Sequence, residues 1–223
     1  MCCDIQIYQA HRIEHTSTQS QSQEEDIIFT SNLFELSHLL NPDSPIHKRG
    51  LMFTFLMHPV ERSALLFEYL KSATHELTFD SNLSTMSLLE YARDRVHSNN
   101  SATTLNESNF LVRSFAQVPM DVPLHGGHVA HAVQVFRRYC LLGLMENEEM
   151  FFESWRRIQK FYGWKGEEKC VKMFLPPLSQ SRITEDSEEY RLLAKLNEYD
   201  MIFYENIKSV FEEQGKLSIF DNL

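Results

Sequence analysis

Along this 223-residue chain the spacing of apolar positions changes several times, and each change marks a new element. In LMFTFL (51–56) apolar and β-favouring residues run without a break, which predicts a strand covered on both faces. From Pro59 the spacing lengthens: Val60, Ala64, Phe67 and Leu70 recur every three or four residues and predict a helix with one buried stripe. Pro59 suits the first turn of that helix, where a missing N–H costs nothing. SLLEYARDRV (87–96) reads as a short helix with Ser87 as its cap and Glu90 at the capping-box position. Val129, Ala132, Val133 and Phe136 predict an amphipathic helix, and CLLGLM (140–145) a second buried strand. Phe151, Trp155, Ile158 and Tyr162 define a long helix that Gly163 ends, and a last helix pair is predicted over 186–213.

Between these elements lie stretches that make poor core. EHTSTQSQSQEED (14–26) is polar and low in complexity, so residues 1–25 are expected to form a disordered polar tail and 26–223 a single domain. DIIFTS and FELSHLL predict a short strand and a short helix before the turn NPDSP. Residues 97–109 read as a loop and CVKMFLPPLSQS as extended or irregular chain. Strands alternating with helices predict an α/β fold, a parallel sheet flanked by helices with a helix-rich C-terminal half. A strand, a tight turn and a helix N-terminus at 51–62 also make a possible anion site, because free amides point out of such a turn.

Composition narrows the function classes. A net charge of −10 argues against broad contact with nucleic acid or anionic lipid, although a local basic pocket stays possible. No apolar run approaches the ~20 residues of a membrane helix, so no membrane segment is expected. MCCDIQIYQAHRIEH lacks the features of a signal peptide, which makes the cytoplasm the expected location. Cys2, Cys3, Cys140 and Cys170 contain no CxxC pair; a 140–170 disulfide and two reduced buried thiols both fit them.

Four segments together resemble PAPS-dependent carbohydrate sulfotransferases, the group related to heparan-sulfate sulfotransferases. MFTFLMHPVERSALLFEYL resembles that family's cofactor 3′-phosphate segment, a strand followed by Arg-[Asp/His]-Pro-x-x-Arg-x-x-Ser and an aromatic-rich helix. ESNFLVRSFAQ resembles its Asn-x-x-[Val/Thr]-Arg-x-[Phe/Leu] segment. HVAHAVQVFRRYCLLGLMENEEMFFESWRRIQKFYGW resembles the helix, Gly-Leu strand and Glu-rich helix that follow. DSEEYRLLAKLNEYDMIFYENIKSVFEEQ resembles the closing helices with their Asn-x-x-Asp-x-x-x-Tyr pattern. The match runs over about residues 26–214 in the family's order and spacing. The resemblance implies a P-loop-kinase-like sheet, incomplete at its N-terminus, PAPS as the sulfuryl donor and a carbohydrate hydroxyl as acceptor. It also implies a Golgi lumen location if an upstream anchor is missing.

Within that frame the ligands differ. The family's Arg falls on Met57 and its Ser on Leu65, while His58, Pro59, Val60, Glu61 and Arg62 keep the surrounding pattern. Nothing before residue 26 resembles the Lys-containing loop that holds the 5′-phosphosulfate. Arg62 and Ser63, in the first turns of the helix, are the candidate cofactor-binding residues, and no catalytic residue is assigned. The function implied is therefore a sulfotransferase with impaired activity, or a non-catalytic relative acting as a binding module. Other candidates weigh less. His125, His128 and His131 are spaced by three, but the helix is expected to start near His128, leaving two His on one face, a poor metal site against a surface or capping role. No metal is expected. His47 and Lys48 read as exposed loop residues, Trp155 as core, and Glu148 and Glu149 as acidic complements of a helix N-terminus. Asn82, Asn99 and Asn106 head glycosylation triplets that chance also produces in loops rich in Asn and Ser.

Overall fold

The computed structural model describes residues 52–74, 80–97, 108–163 and 183–217, all within one compact unit, Leu51–Leu223. The tail, the strand and helix expected at 26–40, His47, Lys48, Asn99, Asn106, Trp164 and Cys170 lie outside the described residues. Strand β1 (Met52–Leu56) leads into α1 (Pro59–Leu70), a short 3-10 turn (Ser81–Thr85) and α2 (Leu88–His97). There follow α3 (Phe110–Ala116), α4 (Gly126–Tyr139), β2 (Cys140–Leu144), α5 (Glu148–Tyr162), α6 (Glu188–Leu196) and α7 (Glu198–Gly215). The two strands run parallel, Met52 opposite Cys140 through Leu56 opposite Leu144. The chain is thus α/β and mostly helical.

Hydrophobic spacing placed these elements because each stripe meets a partner. Val60, Ala64, Phe67 and Leu70 of α1 are all buried, in one cluster with Tyr91 and Ala92 of α2 and Leu193 of α6. Phe115, Phe136 and Phe203 bring α3, α4 and α7 together, with ring centroids 4.3 Å apart for the first pair and 5.3 Å for the last. On the other face of the sheet, Phe53 and Phe55 pack on α5, against Tyr162 (5.7 Å) and Phe151 (5.0 Å). Gly143 lies opposite Phe55, and a Cβ there would stand 2.5 Å from the Phe55 ring, so the strand needs glycine at this point. Trp155 is only half-buried; Ser154 and Arg157 take the inward positions beside Phe151 and Ile158.

The outer edge of β2 is closed by side chains. Gln214 of α7 accepts from Leu142 N (3.0 Å) and donates to Cys140 O (2.7 Å), as a neighbouring strand would. Ser154 Oγ accepts from Leu144 N at 2.9 Å. Buried backbone amides need partners, and these two residues supply them where, among the described residues, no third strand does. Arg157 ties α5 to the end of α7: its guanidinium donates to Phe211 O (2.8 Å), pairs with Glu153 and lies 3.9 Å from the centre of the Phe211 ring.

A second device joins segments far apart in sequence. Asn109, the residue before α3, accepts through Oδ1 from the backbone amides of Tyr199 (2.8 Å) and Asp200 (3.2 Å) in the first turn of α7. Asp200 in return accepts from Leu111 N (2.9 Å) and Val112 N (2.8 Å) in the first turn of α3. Each helix N-terminus is capped by a side chain from the other, which satisfies four otherwise orphan donors. Asn197 completes the lock: its Oδ1 accepts from Asn109 N (3.2 Å) and its Nδ2 donates to Ser63 Oγ of α1 (3.0 Å). Asn109 adopts φ 51° and ψ 41°, a left-handed conformation that Asn tolerates better than other side-chain-bearing residues. Asn109 belongs to the second of the resembling segments and Asn197 and Asp200 to the fourth, and the fold brings them into one buried network.

Candidate functional site

Both strands release their chains at the same edge of the sheet. At the end of β1, Met57 and His58 form the link to α1; at the end of β2, Glu146 and Asn147 form the link to α5, with Met145 N donating to Leu56 O at 2.9 Å. Asn147 Oδ1 caps α5 by accepting from Met150 N (2.8 Å), and Glu148 and Glu149 occupy its first turn as expected. The carboxyl edge of parallel strands is where open α/β sheets place their sites, because loops there can diverge while the strand ends stay rigid.

A cluster of titratable groups gathers at this edge. The His58 ring stacks on Tyr190 of α6 (6.0 Å) and meets Tyr204 of α7 edge-on (5.4 Å). Lys208, one turn beyond Tyr204, places Nζ 2.7 Å from Glu205 and 3.9 Å from Glu146, and 5.7 Å from the centre of the Tyr204 ring. Burial lowers the pKa of His58 although Glu61, Glu146 and Glu205 pull the other way, so the imidazole is neutral at pH 7. The Glu205 carboxylate, hydrogen-bonded to Lys208, raises the lysine pKa. Tyr204 is fully buried, and burial pushes its phenol far up; the hydroxyl lies beside Glu146 without a hydrogen bond of ordinary geometry. Among the described residues the charged groups acting on His58 are Glu61, Glu146, Glu205 and Lys208, and Lys208 is paired with Glu205.

The candidates from the sequence divide between this edge and the interior. Met57 sits at the bend, half-buried, and Leu65 stands on the exposed side of α1 at 41% exposure. Ser63 points inward: it is 2% exposed, donates to Pro59 O (3.0 Å) and accepts from Asn197 Nδ2 (3.0 Å). Its hydroxyl proton is therefore used within α1. Arg62 holds its guanidinium 4.3 Å from the centre of the Phe110 ring at the start of α3, and its charge acts on Asp200. Arg113, in the segment resembling Asn-x-x-Val-Arg, clamps the connection between α3 and α4 by donating to Pro119 O (2.6 Å) and Val122 O (3.0 Å).

No family model, no curated protein and no solved structure matches this chain.

Glu146, Tyr190, Tyr204, Glu205 and Lys208 did not stand out in the sequence. Position offered the one usable signal, since His58 and Glu146 each follow closely on a predicted buried strand. The histidines of HGGH take the capping role weighed for them, but the start of the helix differs from expectation. Helix α4 begins at Gly126, two residues earlier than its hydrophobic spacing implied, because His125 caps it. Among the described residues no group of three or more His, Cys, Asp or Glu side chains could hold a metal ion. Cys140 is a buried free thiol whose pKa burial pushes up. Among the described residues no helix is long and apolar enough to cross a membrane.

Proposed function

We propose that this chain is a relative of the PAPS-dependent carbohydrate sulfotransferases that does not grip its nucleotide, and that it acts as a non-catalytic binding module on a P-loop-kinase-like frame. The observation that carries this reading is the pair of apolar side chains at the strand–helix bend. Where the resemblance would put a phosphate dianion, Met57 sits half-buried at the bend and Leu65 stands exposed on α1, in place of the family's Arg and Ser. Replacing the family's Arg and Ser by Met57 and Leu65 removes charge-assisted hydrogen bonds worth roughly 1.5–3 kcal/mol each. Together these terms weaken nucleotide binding by at least about a hundredfold. Ser63, bonded within α1 and to Asn197, offers no substitute hydroxyl.

Thermal denaturation with adenosine 3′,5′-bisphosphate, the product nucleotide, tests the proposal. A ligand that binds only the folded state at a hundredfold excess over Kd stabilises it by about 2.7 kcal/mol. No shift in Tm is expected at millimolar nucleotide. A shift that grows with concentration would support the other reading, an impaired sulfotransferase transferring from PAPS to a carbohydrate hydroxyl, for which neutral His58 supplies a possible base. The double variant Met57→Arg/Leu65→Ser is expected to create measurable nucleotide binding. Failure to do so would show that the two positions do not correspond to the family's ligands.

A further inference from the structure

The first turn of α4 is closed by two histidines in place of the usual Ser and Glu. His125 Nδ1 accepts from Gly127 N at 3.1 Å, and His128 Nδ1 accepts from His125 N at 3.3 Å. The two rings lie 3.7 Å apart, tilted by 32°. Gly127 makes room for this arrangement, since a Cβ there would stand 2.9 Å from His125 Cε1. In both rings Nδ1 is the acceptor, so the proton of each neutral imidazole belongs on Nε2. A proton added to either Nδ1 turns an acceptor toward a backbone donor and breaks that half of the clasp. Two imidazolium rings at 3.7 Å would also repel each other.

The surroundings give no relief to such a charge. Among the described residues, the groups that act on His128 are His125, Arg113 from α3, and His131 one turn along α4, all cationic or made so by protonation. Loss of solvent around the ring and these charges hold its pKa below the ordinary value. Asp121, in the connection between α3 and α4, acts on Arg113. The connection itself is held at two points: Arg113 binds Pro119 O and Val122 O, and the histidine clasp closes its far end. Met120 and Val122 are exposed apolar side chains on the same segment.

We propose that the His125–His128 pair is a proton-sensitive clasp, and that mildly acidic conditions release the first turn of α4 together with the connection before it. A ring that binds its proton less readily in the folded state than in the unfolded one stabilises the fold at neutral pH. That contribution fades as pH falls below the ordinary histidine value near 6.5.

Two measurements on the full chain test the clasp. Long-range proton–nitrogen NMR of the imidazoles at pH 7.5 is expected to show both rings protonated on Nε2, and a ring protonated on Nδ1 would overturn the proposal. Amide exchange at Gly127 and His125, the two donors of the clasp, corrected for its intrinsic pH dependence, is expected to lose protection about tenfold per pH unit below the ordinary histidine range. The variant His125→Ser/His128→Gln rebuilds the box from groups that do not titrate, and its protection should no longer depend on pH. Persistence of the same acid response in that variant would assign it to another group and refute the clasp. If the double variant fails to fold, the tautomers of the unmodified protein still decide.

Discussion

The reciprocal caps of α3 and α7 allow a quantitative prediction. Asn109→Gly removes the side chain without straining the left-handed backbone that Asn109 adopts. It orphans Tyr199 N and Asp200 N, which had bonds of 2.8 and 3.2 Å, and removes the donors to Ser108 Oγ and Leu196 O. At an exposed N-cap, replacing Asn by Gly costs only a few tenths of a kcal/mol, because water reaches the freed amides. Here Asn109 is 9% exposed and Asp200 1%, so water is largely kept away. Buried orphan donors cost roughly 1–3 kcal/mol each, which sets the expected loss for Asn109→Gly, with two of them, at about 2–6 kcal/mol. Asn109→Ala should lose about 1 kcal/mol more, the penalty of a Cβ in the left-handed region. Urea denaturation followed by circular dichroism measures both, and for a chain of this size Tm should drop by about 2–4 °C per kcal/mol. A Gly variant within 0.5 kcal/mol of the parent would show that the amides are solvated and that the caps do not hold the two helices together. A double-mutant cycle with Asp200→Ala should give a coupling energy of more than about 0.5 kcal/mol, because each residue caps the helix that carries the other.

Two further outcomes follow from the same structure. Burial raises the Asp200 carboxyl to about 6, outweighing its two amide bonds and the attraction of Arg62 and Arg113. A folded state that holds this proton more tightly than the unfolded chain gains stability as pH falls. The contribution of Asp200 should therefore decline between about pH 4 and 6, by on the order of 3 kcal/mol, and the decline should vanish in Asp200→Asn when urea midpoints are compared across pH. Gly143→Ala should cost about 1–3 kcal/mol by forcing a Cβ into the Phe55 ring, and Phe55→Leu in the same chain should recover part of the loss; a neutral Gly143→Ala would mean that the ring swings aside freely.

Much of the secondary structure was legible in the sequence because it depends on periodicity. The stripe Val60, Ala64, Phe67, Leu70 and the runs LMFTFL and CLLGLM report local burial, and burial follows from the side chains themselves. The Ser87–Glu90 capping box and the Gly163 stop were readable for a similar reason: their hydrogen bonds close within a few residues, and Gly163 takes φ 70° as such an ending requires. The clasp of α4 is equally local, yet histidine is an uncommon cap and its ring nitrogens carry no fixed role until the partner amide is placed.

What only the tertiary structure decided is where polar side chains spend their hydrogen bonds. Arg62 and Ser63 follow the bend in sequence and looked available to an anion. The fold commits Ser63 to Asn197, 134 residues away, and lays Arg62 over Phe110. Glu146, Tyr190, Tyr204 and Lys208 lie on separate segments, and they meet because two parallel strands end at one edge and the start of α6 and the middle of α7 pack there. Gln214 became part of a sheet without lying in a strand. Hydrophobic pattern records which residues leave water, a property each segment carries alone. The choice of polar partner depends on which other segment arrives, and a single chain written in one dimension does not contain it.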